Sequence, residues 1–125
     1  MKSWLIAIVL LAAVAAVGIG LRVRAVAAAR LPRMPEVAGQ PPAVVQHLVD
    51  ADRLARRSPT SAGAVGALGI AYHADLFYAP AAQAYRVAVD LDPDEWRWAY
   101  YLALVHLERG EAVQAADRLR AIVTT

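Results

Sequence analysis

Residues 62–93 read AGAVGALGIAYHADLFYAPAAQAYRVAVDLDP, and this stretch decides the fold. It divides into two runs with apolar residues at helical spacing, 62–74 and 80–91, separated by a short break over residues 75–79. No part of it alternates polar and apolar residues as a half-buried strand would. Two prolines bound it, Pro59 just before and Pro93 at its end. Each follows an amphipathic run and a polar residue, Ser58 or Asp92, and each precedes a new apolar run. A stop and restart at a fixed interval marks a repeat.

Outward from this stretch the same grammar continues. Pro42 suits a first helical turn, and Val45, Leu48, Val49, Ala51, Leu54 and Ala55 follow helical spacing up to Ser58-Pro59. Further helices are expected over 94–109, where Gly110 supplies a C-cap, and over 111–123. The expected fold is therefore all-α: five antiparallel helices over 43–125, with no sheet. Before them, residues 31–42 hold four prolines and a glycine. No helix survives that composition, so an extended, stiff linker that holds the domain off a membrane is expected.

The segment from Met1 to Arg30 differs in kind. Hydrophobic residues form 59% of the chain, more than the roughly 45–50% usual in a soluble domain, and the excess lies in residues 4–21 (WLIAIVLLAAVAAVGIGL). Eighteen helical residues span roughly 27 Å, close to the ~30 Å hydrocarbon core of a bilayer. The pattern also fits a secretory signal, but the run exceeds the usual h-region, and Arg22 and Arg24 follow where a neutral cleavage region would stand. An uncleaved transmembrane anchor over 1–30 is the reading taken. Ala12, Ala16 and Gly20 line one face of it at the spacing of close-packed membrane helices, a pattern alanine-rich helices also show by chance.

Charge follows the same division. Up to residue 33 there are five basic residues and no acid; from 34 onward eight arginines meet eleven acids, a net −3. The domain's own balance argues against nucleic acid as partner. The absence of cysteine excludes a disulfide framework, a lipoprotein anchor, a thiolate zinc site and a covalently attached c-type haem.

The interval from Pro59 to Pro93 is about 34 residues, the tetratricopeptide period, and the chain resembles that family in residue types as well. The family's leucine-glycine, tyrosine, alanine, aromatic, alanine and proline fall on Leu68-Gly69, Tyr72, Ala81, Tyr85, Ala88 and Pro93. Only Val65 departs, where tryptophan is typical. A second repeat from Trp96 carries Leu102-Ala103, His106, Gly110, Ala115, Leu119 and Ile122. The helix over 42–57 resembles the second half of an earlier repeat. The resemblance implies that Gly69 and Ala81 face each other at the closest packing point and that the first helix of each pair lines a concave groove. The implied groove residues are Gly63, Gly66, Ile70, His73 and Ala74, then Arg97, Tyr100, Leu104, Leu107 and Glu108. The implied role is binding a protein or peptide partner as a scaffold or assembly factor of a bacterial envelope complex. The alternative is a permanent single-span accessory subunit of a larger membrane complex, of respiratory or photosynthetic type. A bacterial inner-membrane protein is expected. The family resemblance and the short N-terminal tail point the domain to the periplasm, while the arginines after the span point it to the cytoplasm.

Other clusters are weighed against plainer roles. Trp96, Trp98, Tyr100 and Tyr101 cannot all be buried beside Ala99 and Leu102, so Trp96 and Trp98 are candidate interface aromatics. Asp90, Asp92, Asp94 and Glu95 suit a helix start better than calcium, because the EF-hand glycine and ligand alternation are missing. His47, His73 and His106 lie on separate helices without paired-ligand spacing, so no metal or other cofactor is expected. No nucleophile triad, phosphate-cradling loop or carboxylate pair appears, so no enzyme is expected. Finally, Leu102, Val105, Val113, Leu119 and Ile122 have no following helix to cover them, and an interaction surface is expected there.

Overall fold

The computed structural model describes residues 2–124, and these form six α-helices with no strand among them. The first, α1 (Lys2–Ala29), is long and apolar enough to cross a membrane and buries none of its residues. The others are α2 (Pro42–Arg57), α3 (Ala62–Ala74), α4 (Tyr78–Leu91), α5 (Trp96–Glu108) and α6 (Ala112–Val123). From α2 onward each packs on the next in an antiparallel array.

Local chemistry sets the ends. Ser61 caps α3 by accepting from the Ala64 N–H at 3.2 Å, and Glu95 caps α5 by accepting from the Arg97 N–H at 3.2 Å. The helix expected from 80 starts instead at Tyr78. Pro80 sits in its first turn, where a missing N–H costs nothing because no intrahelical acceptor is available.

The period is written into the backbone as well as the sequence. The ends of α3, Ala62 and Ala74, recur one repeat later as the ends of α5, Trp96 and Glu108. The Ser58 N–H donates to Leu54 O at 3.1 Å, and Asp92 donates to Ala88 at 3.0 Å. Phe77 donates to Tyr72 O at 2.9 Å, and Glu111 to His106 O at 2.8 Å. Side-chain chemistry at the last pair differs between repeats. Tyr72 and Phe77 meet edge to face with centroids 6.4 Å apart, whereas His106 Nδ1 lies 2.6 Å from Glu111 Oε2. That hydrogen bond holds the Glu111 carboxyl below the usual range.

The core runs through the array. Val65, Leu68, Tyr72, Ala81, Tyr85, Ala88, Leu102 and Val105 are all buried, each large apolar side chain contributing about 1.5–3 kcal/mol. Gly69, on the α3 face that packs on α4, makes its nearest approach to Tyr85. The Tyr85 ring lies against it, and a Cβ on Gly69 would fall 2.6 Å from Tyr85 Cε1. An aromatic ring needs the width that only a hydrogen leaves. Leu102 and Val105 were also expected at an uncovered end. They are buried between their neighbours, while Val113 on α6 is 72% exposed.

The linker expectation is corrected too. Residues 32–37 are irregular, but they do not hold the domain away from α1. Leu31, 4% exposed, joins the core cluster, and Pro32 is buried. The Arg56 guanidinium donates to Pro32 O at 2.9 Å, and Gln83 donates to Arg30 O at 3.0 Å. Arg30 pairs with Asp90, and Arg24 donates to Arg57 O at 2.6 Å, closing the C-terminal end of α2. The prolines leave carbonyls unpaired, and the domain's side chains take them up. A turn follows, in which Gly39 has φ 88° and Gln40 donates to Val37 O at 3.1 Å.

Candidate functional site: the concave face of α3 and α5

Successive first helices, α3 and α5, lie side by side with α4 behind them. The surface they share carries a concavity of about 420 Å³. Ile70, His73 and Ala74 come from α3, and Leu104 and Glu108 from α5. These five were expected from the sequence. Leu76, Tyr85 and Tyr101 complete the wall and were not expected there. Tyr101 was missed because its neighbour Tyr100 was assigned to the groove, and one residue turns a helix by about 100°. Leu76 lies in the turn after α3, beyond the reach of helical periodicity.

His73 organises the polar end. Its Nδ1 lies 3.2 Å from Tyr85 Oη, and its Nε2 lies 3.2 and 3.3 Å from the two Glu108 oxygens. With the proton on Nε2 the ring donates to Glu108 and accepts from Tyr85, so one neutral tautomer satisfies all three groups. Tyr78 packs edge to face on His73 at 6.1 Å. Desolvation, then its hydrogen bond to Glu108, raises the Tyr78 pKa. Burial, then the neighbouring Tyr101 and Glu108, raises that of Tyr85. Glu108 thus ties α5 to α3 and to the start of α4. The concavity presents an apolar floor from Ile70, Leu76 and Leu104 beside one anchored carboxylate.

The other expected groove residues lie elsewhere. Gly63 is exposed in the first turn of α3 and does not line the concavity. Gly66 is buried, and any side chain there would collide with the Trp98 indole. Trp98 is only 8% exposed, so it is a core residue seated on Gly66 and not a surface aromatic. Arg97 is held outside the concavity by Glu95, with Nε to Oε1 at 3.0 Å and Nη2 to Oε2 at 2.8 Å. These bonds lower the Glu95 pKa and raise that of Arg97. Leu107 is exposed outside the concavity as well. Tyr100 stacks between Trp96 and Tyr101, at 6.0 and 5.9 Å.

Trp96 is the most exposed aromatic of this cluster, at 56%. It borders a cleft of about 620 Å³ with Val89, Pro93, Ala99, Arg118 and Ile122, away from the concavity. Of the acidic cluster, Glu95 caps α5 and Asp90 pairs with Arg30. His106 is buried against Glu111, and His73 packs against Glu108.

No protein-family model, curated protein or solved structure matches the chain significantly.

Proposed function

We propose that the chain is a membrane-anchored helical scaffold of the tetratricopeptide type, with α1 as its anchor and the concave face of α3 and α5 as its partner-binding surface. The observation that carries the reading is the concavity itself. Five residues picked out by the family's register, Ile70, His73, Ala74, Leu104 and Glu108, converge on it. Its make-up suits an extended or helical peptide that places an apolar side chain over Ile70 and Leu104 and a hydrogen-bond donor or cation at Glu108. Such mixed pockets, apolar with one anchored charge, fix orientation as well as affinity. The apolar length of α1 supports the anchor. In this reading the chain performs no chemistry, and the domain faces the periplasm.

A second reading, a permanent subunit of a larger membrane complex, draws on the cleft beside Trp96 and on exposed Val113 and Val123. One experiment separates the two. A photo-crosslinking amino acid is placed at Ile70, Leu104, Gly63 or Trp96 in the full chain in cells. Discrete adducts at Ile70 and Leu104, absent at Gly63, support the groove. Adducts confined to Trp96, with the adduct partner copurifying at fixed stoichiometry in mild detergent, overturn it in favour of the subunit.

A further inference from the structure

A third cavity is distinct from those two. It lies where α1 meets the repeat helices and has a volume of about 960 Å³. Four arginines line it, Arg33, Arg56, Arg86 and Arg109, and no carboxylate does. This is unexpected in a domain that carries more acids than bases. The acids nearest these arginines are already engaged: Asp52 takes Arg56 Nε at 2.9 Å, while Glu111 takes Arg109 Nε at 3.2 Å and His106 Nδ1 at 2.6 Å and feels the charge of Arg86. Arg33 and Arg86 have no carboxylate in ion-pair range among the described residues. Ala79 and Pro80 bring the start of α4 to the same wall, and that helix has no side-chain cap. Its positive dipole end adds to the field.

The cavity's position identifies its occupant. Ala28 and Ala29 of α1 form one wall. They stand seven and eight residues beyond Leu21, the end of the apolar run, or about 10–12 Å along the axis. Arg24 is bonded to the end of α2 much nearer the run, so the domain lies against the bilayer surface. The headgroup layer adds roughly 5–8 Å to each side of the hydrocarbon core, and an extended arginine covers the remainder. Leu31, Met34 and Pro35 supply apolar wall beside the guanidinium groups.

We propose that this cavity binds the phosphate of an anionic phospholipid headgroup from the leaflet that α1 leaves. Arginine's planar fork matches phosphate oxygens in pairs, and the apolar wall receives the glycerol end. The inference rests on α1 being a membrane anchor, and the two are tested apart. Alkaline carbonate extraction of membranes tests the anchor alone: extraction into the soluble fraction refutes it. Lipid binding is read by native mass spectrometry of the full chain in detergent, with phosphatidylglycerol or phosphatidylcholine added. Preferential retention of phosphatidylglycerol is expected, weakened about tenfold by Arg33→Gln or by Arg86→Gln, the loss of one charge-assisted hydrogen bond. Arg53→Gln, at an exposed arginine paired with Asp50 outside the cavity, should leave retention unchanged. Circular dichroism confirms that the variants stay folded. Equal retention of both lipids, or no effect of either cavity variant, overturns the proposal. Displacement of phosphatidylglycerol by millimolar inorganic phosphate would assign the cavity to free phosphate, and displacement by an acidic peptide would assign it to a protein partner. Either result refutes the lipid site.

Discussion

Leu76 carries the left-handed backbone that Gly110 carries one repeat later, with φ 65° at the one and 77° at the other. Both donate the same turn hydrogen bond, Leu76 to His73 O at 3.1 Å and Gly110 to Leu107 O at 3.0 Å. For leucine this conformation costs about 1–2 kcal/mol, and a side chain 66% exposed regains little of it by burial. The strained leucine lies on the wall of the concave face, where it would meet the partner proposed above. Leu76→Gly is expected to raise stability by up to about 1 kcal/mol, because glycine enters this region freely but loses more entropy on folding. Crosslinking at Leu104 should weaken in the same variant. Thermal unfolding of the full chain in detergent checks the first expectation; a clear loss of stability would show that the leucine's contacts outweigh its strain.

Gly66 and Trp98 form one packing unit, since the indole occupies the space a side chain at 66 would need. Gly66→Ala should destabilise by about 1–3 kcal/mol through overpacking, and Trp98→Ala by about 3–5 kcal/mol through the cavity it leaves. Residues in direct contact do not add. Gly66→Ala combined with Trp98→Ala should therefore cost less than the two single changes summed. Strict additivity in urea unfolding would mean that the two do not touch.

Tyr72 is buried with its hydroxyl unpartnered, and Asp52 Oδ1 is buried without a hydrogen bond as well. Burial first, then the nearby Asp52, pushes the Tyr72 pKa up to about 12. The raised value sets the sign. The unfolded chain releases this proton near pH 10 and the folded chain retains it, so stability is complete below pH 10 and declines as pH climbs toward 12. Tyr72→Phe should flatten that decline. At neutral pH it should be neutral, or stabilising by about 1 kcal/mol, because it removes an unsatisfied hydroxyl. A marked loss at neutral pH would point to a hydrogen bond from Tyr72.

Docking of the anchor's end rests on Leu31 more than on the ion pair beside it. Arg30 and Asp90 are about half exposed, and pairs of that kind contribute about 0–1 kcal/mol. Burying Leu31 contributes about 2 kcal/mol. Trypsin should therefore cut slowly after Arg30, whose scissile bond leads into buried Leu31, and faster after exposed Arg33. Leu31→Ser should open the Arg30 site, and Asp90→Asn should do so only slightly. Equal cutting at both sites in the unaltered chain would show that this segment is not docked.

The helices themselves were legible in the sequence because the signals that make them are local. Pro42 opens α2 and Gly110 closes α5, and both act within a turn of where they stand. The spacing of Pro59 and Pro93 set the register, and from it five lining residues of the concavity followed. What the sequence left open depended on surfaces that exist only once helices pack. Trp96 and Trp98 are the same residue type two positions apart, yet one is exposed and the other is seated on Gly66 from the preceding repeat. Leu31 and Pro32 read as spacer until Arg56 and the core bring a surface to them. Arg33, Arg56, Arg86 and Arg109 come from the linker, α2, α4 and the end of α5, and only the fold gathers them. Helix formation is decided by neighbours along the chain, whereas burial, aromatic seating and charge clustering are decided by neighbours across it.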